Sequence, residues 1–227
     1  MLTVLTWLWN QPHGKTKYAA EHVNAWATMV SRHLTLEHEV ACVTDMPQGI
    51  DPGIRIIPPL GDFIDVKLPT WGPTKPQCLR RLSMFRRDAV DWIKADRIVS
   101  TDLDAVICDS LDPLFDIDDD FKIAHGTSSG RKYNGSLMLL RLGARPQVFE
   151  TFTPERAVRA GLKHLGSDQA WIAAAIPGEK TWKPEDGVCF WLPQRPVEVA
   201  RIVFFAGANG KPWTVDDPLV AKHYPKG

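Results

Sequence analysis

The chain has 227 residues, 44% of them hydrophobic and 24% charged, with 27 basic side chains against 27 acidic ones. That is globular composition with enough apolar material for a sizeable core, and its zero formal charge argues against a partner drawn by long-range charge, so no nucleic acid is expected. No apolar run reaches the roughly 20 residues of a membrane span, MLTVLTWLWN lacks the features of a signal peptide, and the four scattered cysteines show no metal-type pairing, so a cytoplasmic protein with reduced thiols is expected.

Residues 2–9, LTVLTWLW, are β-branched and aromatic and predict a buried first strand. Residues 10–17, with Pro12 and Gly14, read as a loop. Tyr18, His22, Trp26, Met29, Val30 and His33 then recur at the three- and four-residue steps of a helix. EVACVTD (39–45) and IRIIPP (54–59) predict two further strands, and the Pro- and Gly-rich residues 60–77 an irregular loop. A helix is expected over 78–94, with Leu79, Leu82, Phe85, Val90 and Ile93 on one side. The stretch RIVSTDLDAVICDSLDPLF (97–115) reads as two apolar strands interrupted by Asp102-Leu103-Asp104. DIDDD (116–120) reads as a solvated turn and NGSLMLL (134–140) as a strand. Thr153-Pro154 is an N-cap followed by a first-turn proline, and Ser167 caps a short helix DQAWIAAA. RIVFFAG (201–207) predicts the last strand, with GKPW after it. Strands alternating with helices through the first half imply a single α/β domain with a mixed, mostly parallel central sheet flanked by helices.

Asp102 and Asp104 carry the chemical signal. Side chains at i and i+2 of a strand share a face, and two carboxylates there repel, the more so when buried. A divalent cation reverses that sign, because hard cations take oxygen ligands. Asp102 follows an apolar strand, and ligands of open α/β sheets bind outside the carboxyl ends of strands. An Asp-x-Asp triplet also occurs on plain surface turns, and that reading stands beside the functional one.

The order of apolar strand, Asp-x-Asp, apolar strand and DPLF resembles the nucleotide-sugar site of GT-A fold glycosyltransferases, in particular the glycogenin-like group, family eight. CLRRLSMF (78–85) is similar to the helix that presents a basic residue to the donor, with Arg81 at that place. NGSLMLL resembles the Asn-containing strand at the sugar, GSDQAW (166–171) the Asp-Gln motif near the transferred sugar, and GKPW (210–213) the lysine motif that clamps the diphosphate. These stretches span Tyr18 to Trp213 in sequence order.

The resemblance implies a metal-dependent transferase that moves a sugar, with retention, from a nucleoside diphosphate sugar (a UDP-sugar) to an acceptor. Residues 1–115 would form the nucleotide-binding half and 116–227 the sugar and acceptor half. Asp102 and Asp104 would hold manganese or magnesium against the departing diphosphate, and Lys211 would add positive charge there. Arg81 would reach ribose or phosphate, Asn134, Asp168 and Gln169 would hold the sugar hydroxyls, and Thr6, Trp7 and Tyr18 would cover base and ribose. Trp171, Trp182, Trp191 and Trp213 fall where the acceptor would lie. Read singly, Arg81 is a surface charge, Lys211 and Trp213 a turn with Pro212, Asp168 a first-turn aspartate and Asn134 a turn residue before Gly135.

One departure is visible in the sequence. The group carries a histidine before its lysine motif as third metal ligand, where IVFFAGANGKPW has Phe204, Phe205 and Ala206, and the spacing from Gly207 to Lys211 is one residue longer than usual. Completion of the metal by the diphosphate and water, or by a residue from elsewhere such as His125 or His223, is one outcome, weak or absent metal binding is a second, and a nucleotide-sugar-binding protein without turnover is a third. A sugar nucleotidyltransferase, the third alternative, would carry a Gly-rich phosphate loop that LTWLWNQPHGKTK lacks.

Overall fold

The computed structural model describes residues 1–11, 14, 16–72, 75, 77–193, 199–207 and 210–225. Pro12, and Pro73, Thr74 and Pro76 of the expected 60–77 loop, lie outside them. Strand β1 (Leu2–Leu8) pairs in parallel with β2 (His38–Thr44) on one side and β4 (Arg97–Thr101) on the other. Short β3 (Arg55–Ile57) extends the parallel run beyond β2. On the other flank β7 (Arg131–Arg141) runs antiparallel to both β4 and β6 (Phe121–Ser128), and β8 (Lys180–Trp182) closes the edge parallel to β6. The seven-stranded order is therefore β3-β2-β1-β4-β7-β6-β8, mostly parallel. A second sheet of three short strands, β5 (Ala105–Ile107), β10 (Ile202–Phe204) and β9 (Val188–Phe190), has β10 in the middle.

Alternation along β1 distributes the core. Val4 and Leu8 pack with Trp26 and Met29 of helix α1 (Ala20–His33) and with the small sheet, while Leu5 belongs to the opposite side. There it meets Leu79, Leu82 and Phe85, together with Trp171 and Ile172 of the helix Asp168–Ala175. Both faces of the central sheet are covered, as a parallel sheet requires. Thr153 caps the helix Pro154–Lys163, its Oγ1 accepting from the Arg156 amide at 3.2 Å.

The expected helix over 78–94 is two elements. Leu79–Phe85 forms a 3₁₀ segment and Ala89–Ile93 a short α-helix, α2. Six of the seven side chains of the 3₁₀ segment are buried, so it has no solvent stripe, and Ser83 is tied by its hydroxyl to Asp62 at 3.0 Å. Arg86 then turns extended and bonds Asp62 and Asp88, which ends the segment. Strand β6 was not anticipated, and β7 begins three residues earlier than NGSLMLL, because the two form one hairpin.

That hairpin has a register shift between His125 and Ser128. At Gly126 a Cβ would lie 1.4 Å from the Arg131 carbonyl oxygen, which only a backbone move can relieve. Gly126→Ala is expected to lower stability by about 1–3 kcal/mol, read as an earlier midpoint in urea denaturation.

Residues 102–104 are not strand. They form a bend through which the chain leaves the large sheet for the small one. The Asp102 amide donates to the Ser136 carbonyl of β7 at 2.9 Å, and the Phe205 amide beyond β10 donates to the Asp104 carbonyl at 2.7 Å. The two aspartates are thus fastened to different sheets, at a bend in place of the continuous strand expected there. Both sheets also take strands from either side of residue 115.

Candidate functional site

A cavity of about 1160 Å³ opens at the carboxyl ends of β1 and β4, with residues 101–104 as its floor. Trp7 and Trp9 at the end of β1, Tyr18 before α1, Arg81, Lys211 and Trp213 form walls around that floor. It is large for a small-molecule site, and it combines aromatic surface with convergent charge.

Arg81 is 4% exposed and sits behind Asp102. Its Nη1 donates to Asp102 Oδ1 at 2.5 Å and to the Gly135 carbonyl at 3.1 Å. Its Nε and Nη2 donate to Asp168 Oδ2 at 3.0 and 2.6 Å. Burial works against the guanidinium charge, but Asp168 and Asp102 outweigh it and hold the group firmly protonated. The other Asp102 oxygen accepts from the Ser136 hydroxyl at 2.7 Å. Gly135 permits this packing: a Cβ there would lie 2.8 Å from Arg81 Nη2 and 3.3 Å from Asp168 Oδ2. Gly135→Ala is expected to displace the guanidinium and cost about 1–3 kcal/mol, measurable as a lower thermal midpoint.

Asp104 is paired separately. Its Oδ2 accepts from the Lys211 ammonium and, at 3.1 Å, from the Tyr18 hydroxyl. Lys211 also donates to the Phe205 carbonyl at 2.8 Å. Asp104 is 6% and Lys211 8% exposed, so the pair is buried at the edge of the cavity that both line. Burial and the Asp102 carboxylate push the Asp104 carboxyl up, and Lys211 and Tyr18 pull against them. Burial, Asp104 and Asp102 push the Tyr18 phenol up, so it serves as a hydrogen-bond donor. The Cys78 thiol on the cavity wall is pushed up to about 12 by burial, which leaves it protonated and unreactive at neutral pH.

The remaining sequence-selected residues fall into two groups. Trp7 lines the cavity, its Nε1 held by Ser100 Oγ at 2.9 Å. Thr6 points away, fully buried with its hydroxyl on the Thr101 carbonyl at 3.0 Å. Asn134 and Asp168, each 3% exposed, are not on the cavity wall. Asn134 Oδ1 accepts from the Ser136 amide at 2.9 Å, and Gln169 bonds the Gly135 amide and the Leu165 carbonyl at 3.2 and 3.0 Å. Of the four C-terminal tryptophans, Trp213 lines the cavity, tilted over His22 at a centroid distance of 3.9 Å. Trp171 and Trp182 are buried, and Trp191 stacks on Phe205 at 5.0 Å. Trp9, Trp71, Lys17 and Lys75 line the cavity without having been singled out in the sequence. Trp9 follows the first strand directly and was within reach of a strand-end argument, whereas Trp71 and Lys75 lie in the irregular segment, where no periodicity marks them.

A divalent cation on Asp102 and Asp104 meets a donor set that does not fit it. Each carboxylate already carries a protein cation, Arg81 on one and Lys211 on the other. The residue whose amide faces Asp104 is Phe205, buried and stacked, where a third ligand was expected. His125 stacks on Phe190, His223 lies beside His33, and neither lines the cavity. Among the described residues no group of three or more His, Cys, Asp or Glu is arranged to hold a metal, and none of their helices is long and apolar enough to cross a membrane.

Solved structures similar to this one are glycosyltransferases. The galactosyltransferase LgtC, in complex with donor and acceptor sugar analogs, is 15% identical, covers 94% of this chain and 90% of its own, and superposes with a TM-score of 0.55. GlyE of Streptococcus pneumoniae TIGR4 is 14% identical over 94% of this chain and 57% of its own, with a TM-score of 0.61. The bifunctional enzyme WbbM is 12% identical over 93% of this chain and 46% of its own, at 0.51. What is shared at these identities is the fold, the GT-A architecture. No protein-family model matches the chain, and no curated protein matches it by sequence.

Proposed function

We propose that the chain is a glycosyltransferase that takes a sugar from a nucleoside diphosphate sugar and passes it to an acceptor hydroxyl. The observation that carries this reading is Lys211, a buried ammonium that lines the cavity beside Asp102–Asp104 at the carboxyl ends of β1 and β4. In the reaction the bond from the sugar anomeric carbon to the diphosphate oxygen breaks with both electrons on that oxygen. A bond from the acceptor oxygen forms, and the acceptor proton leaves to the diphosphate or to solvent. The charge that builds on the diphosphate is what a fixed ammonium in a partly dry site stabilises. Trp7 and Tyr18 offer faces and a hydroxyl for base and ribose. The Arg81 network holds Asp102 in place and takes a positioning role. Uridine as the base and retention at the anomeric carbon are supported by the resemblance in the motifs.

A screen of nucleotide sugars that measures free nucleotide, with water as acceptor of last resort, tests the reading. Slow release from one donor is expected, and NMR of the released sugar reads the anomeric outcome. Release from none, with no thermal stabilisation by any nucleoside diphosphate, would remove the proposal. A second reading, binding without turnover, is favoured by Asn134 and Asp168, which are buried and bonded within the protein. Stabilisation without release would select it.

A further inference from the structure

We propose that this chain binds its diphosphate without a divalent cation, the Lys211 ammonium on Asp104 standing in the cation's place. The inference rests on the donor-class reading above. Lys211 has three N–H donors. Two go to Asp104 and the Phe205 carbonyl, which leaves one for a ligand in the cavity. A divalent ion at Asp104 would lie against that ammonium, and displacing the lysine would strand a buried charge.

The neighbouring positions agree. Asp102 has one oxygen on Arg81 and the other on Ser136. Phe205 faces Asp104 through its backbone, and its ring is packed on Trp191, so that position supplies structure where a metal site needs a ligand.

On the cavity wall Lys75, Arg81 and Lys211 stand beside Asp102 and Asp104, so the cations that meet a diphosphate there belong to the protein. Arg81 and Lys211 are both buried where they are, so a metal on the two aspartates would have to share each carboxylate with a cation already fixed there.

Calorimetric titration of the full chain with UDP and, separately, with inorganic pyrophosphate, each in EDTA and in manganese, tests the inference. Affinities within about twofold between the two buffers are expected for both probes, with Lys211→Gln weakening both about tenfold or more in EDTA and Lys211→Arg weakening them less. Circular dichroism checks that the variants fold, and if Lys211→Gln does not, the wild-type comparison decides alone. Tightening by manganese of about tenfold or more, or binding that disappears in EDTA, overturns the inference and leaves the donor-class reading intact. A manganese site seen by electron paramagnetic resonance and lost in Asp104→Asn also overturns it. If neither probe binds in either buffer, both the donor class and this inference fall.

Discussion

Replacing Arg81 by alanine is expected to cost about 3–5 kcal/mol of folding stability, the scale seen when one partner of a buried ion pair is removed. The reason is what it would leave behind. Asp168 has a side chain 4% exposed and takes two N–H bonds from Arg81 on the same oxygen, with the Ser167 hydroxyl near the other at 3.3 Å. Asp102 would lose its 2.5 Å contact, and the Gly135 carbonyl its donor. A lysine cannot replace this, because a single ammonium cannot present the planar fork that serves Asp168 while reaching Asp102. Arg81→Lys is therefore expected to recover only part of the loss. Urea denaturation of wild type, Arg81→Ala and Arg81→Lys gives the three values. Equal midpoints for wild type and Arg81→Ala would show that the buried triad contributes nothing.

The second large effect separates stability from chemistry at Lys211. Lys211→Met leaves Asp104 buried without its cation, at an expected cost of about 3–5 kcal/mol. Combining it with Asp104→Leu removes both charges, and a well-packed apolar pair brings the protein back to within about 1–2 kcal/mol of wild type. Nucleotide release should not come back with it. Loss of a preorganised charge aimed at the leaving group is expected to reduce turnover about 100-fold or more in both variants. The double variant thus has near-normal unfolding and little activity, read by chemical denaturation and by free nucleotide. Recovery of turnover along with stability would mean that Lys211 acts only on the fold.

The strands and the first helix were legible because their signals are local. LTVLTWLW, EVACVTD and the 18–33 period each declare themselves within about 16 residues, and the observed β1, β2 and α1 match them to within one or two residues at each end. The 78–94 segment was less legible, since apolar residues three apart suit a 3₁₀ turn as well as an α-helix. Burial on nearly all sides and the Ser83–Asp62 bond are tertiary facts. Strand β6 follows an acidic run and owes its place to pairing with β7. At the site the sequence marked Asp102, Asp104, Arg81 and Lys211 but not who pairs with whom. Arg81 meets an aspartate 21 residues away and Lys211 one 107 residues away, contacts no spacing rule can read. The cation expectation assumed both carboxylates were free on one face, and the bend at Leu103 gives each its own partner.

That bend has a mechanical consequence. Asp102 is anchored to β7 in one sheet and Asp104 to the start of the loop after β10 in the other, with only Leu103, 3% exposed, between them. Three residues reach at most about 10 Å even when extended. Asp102 and Asp104 therefore keep a short reach set by the covalent chain, whereas Trp9, Lys75 and Trp213 come to the cavity on other segments. Access and charge recognition become independent variables, so loops around the mouth can change without disturbing the spacing that a diphosphate would read.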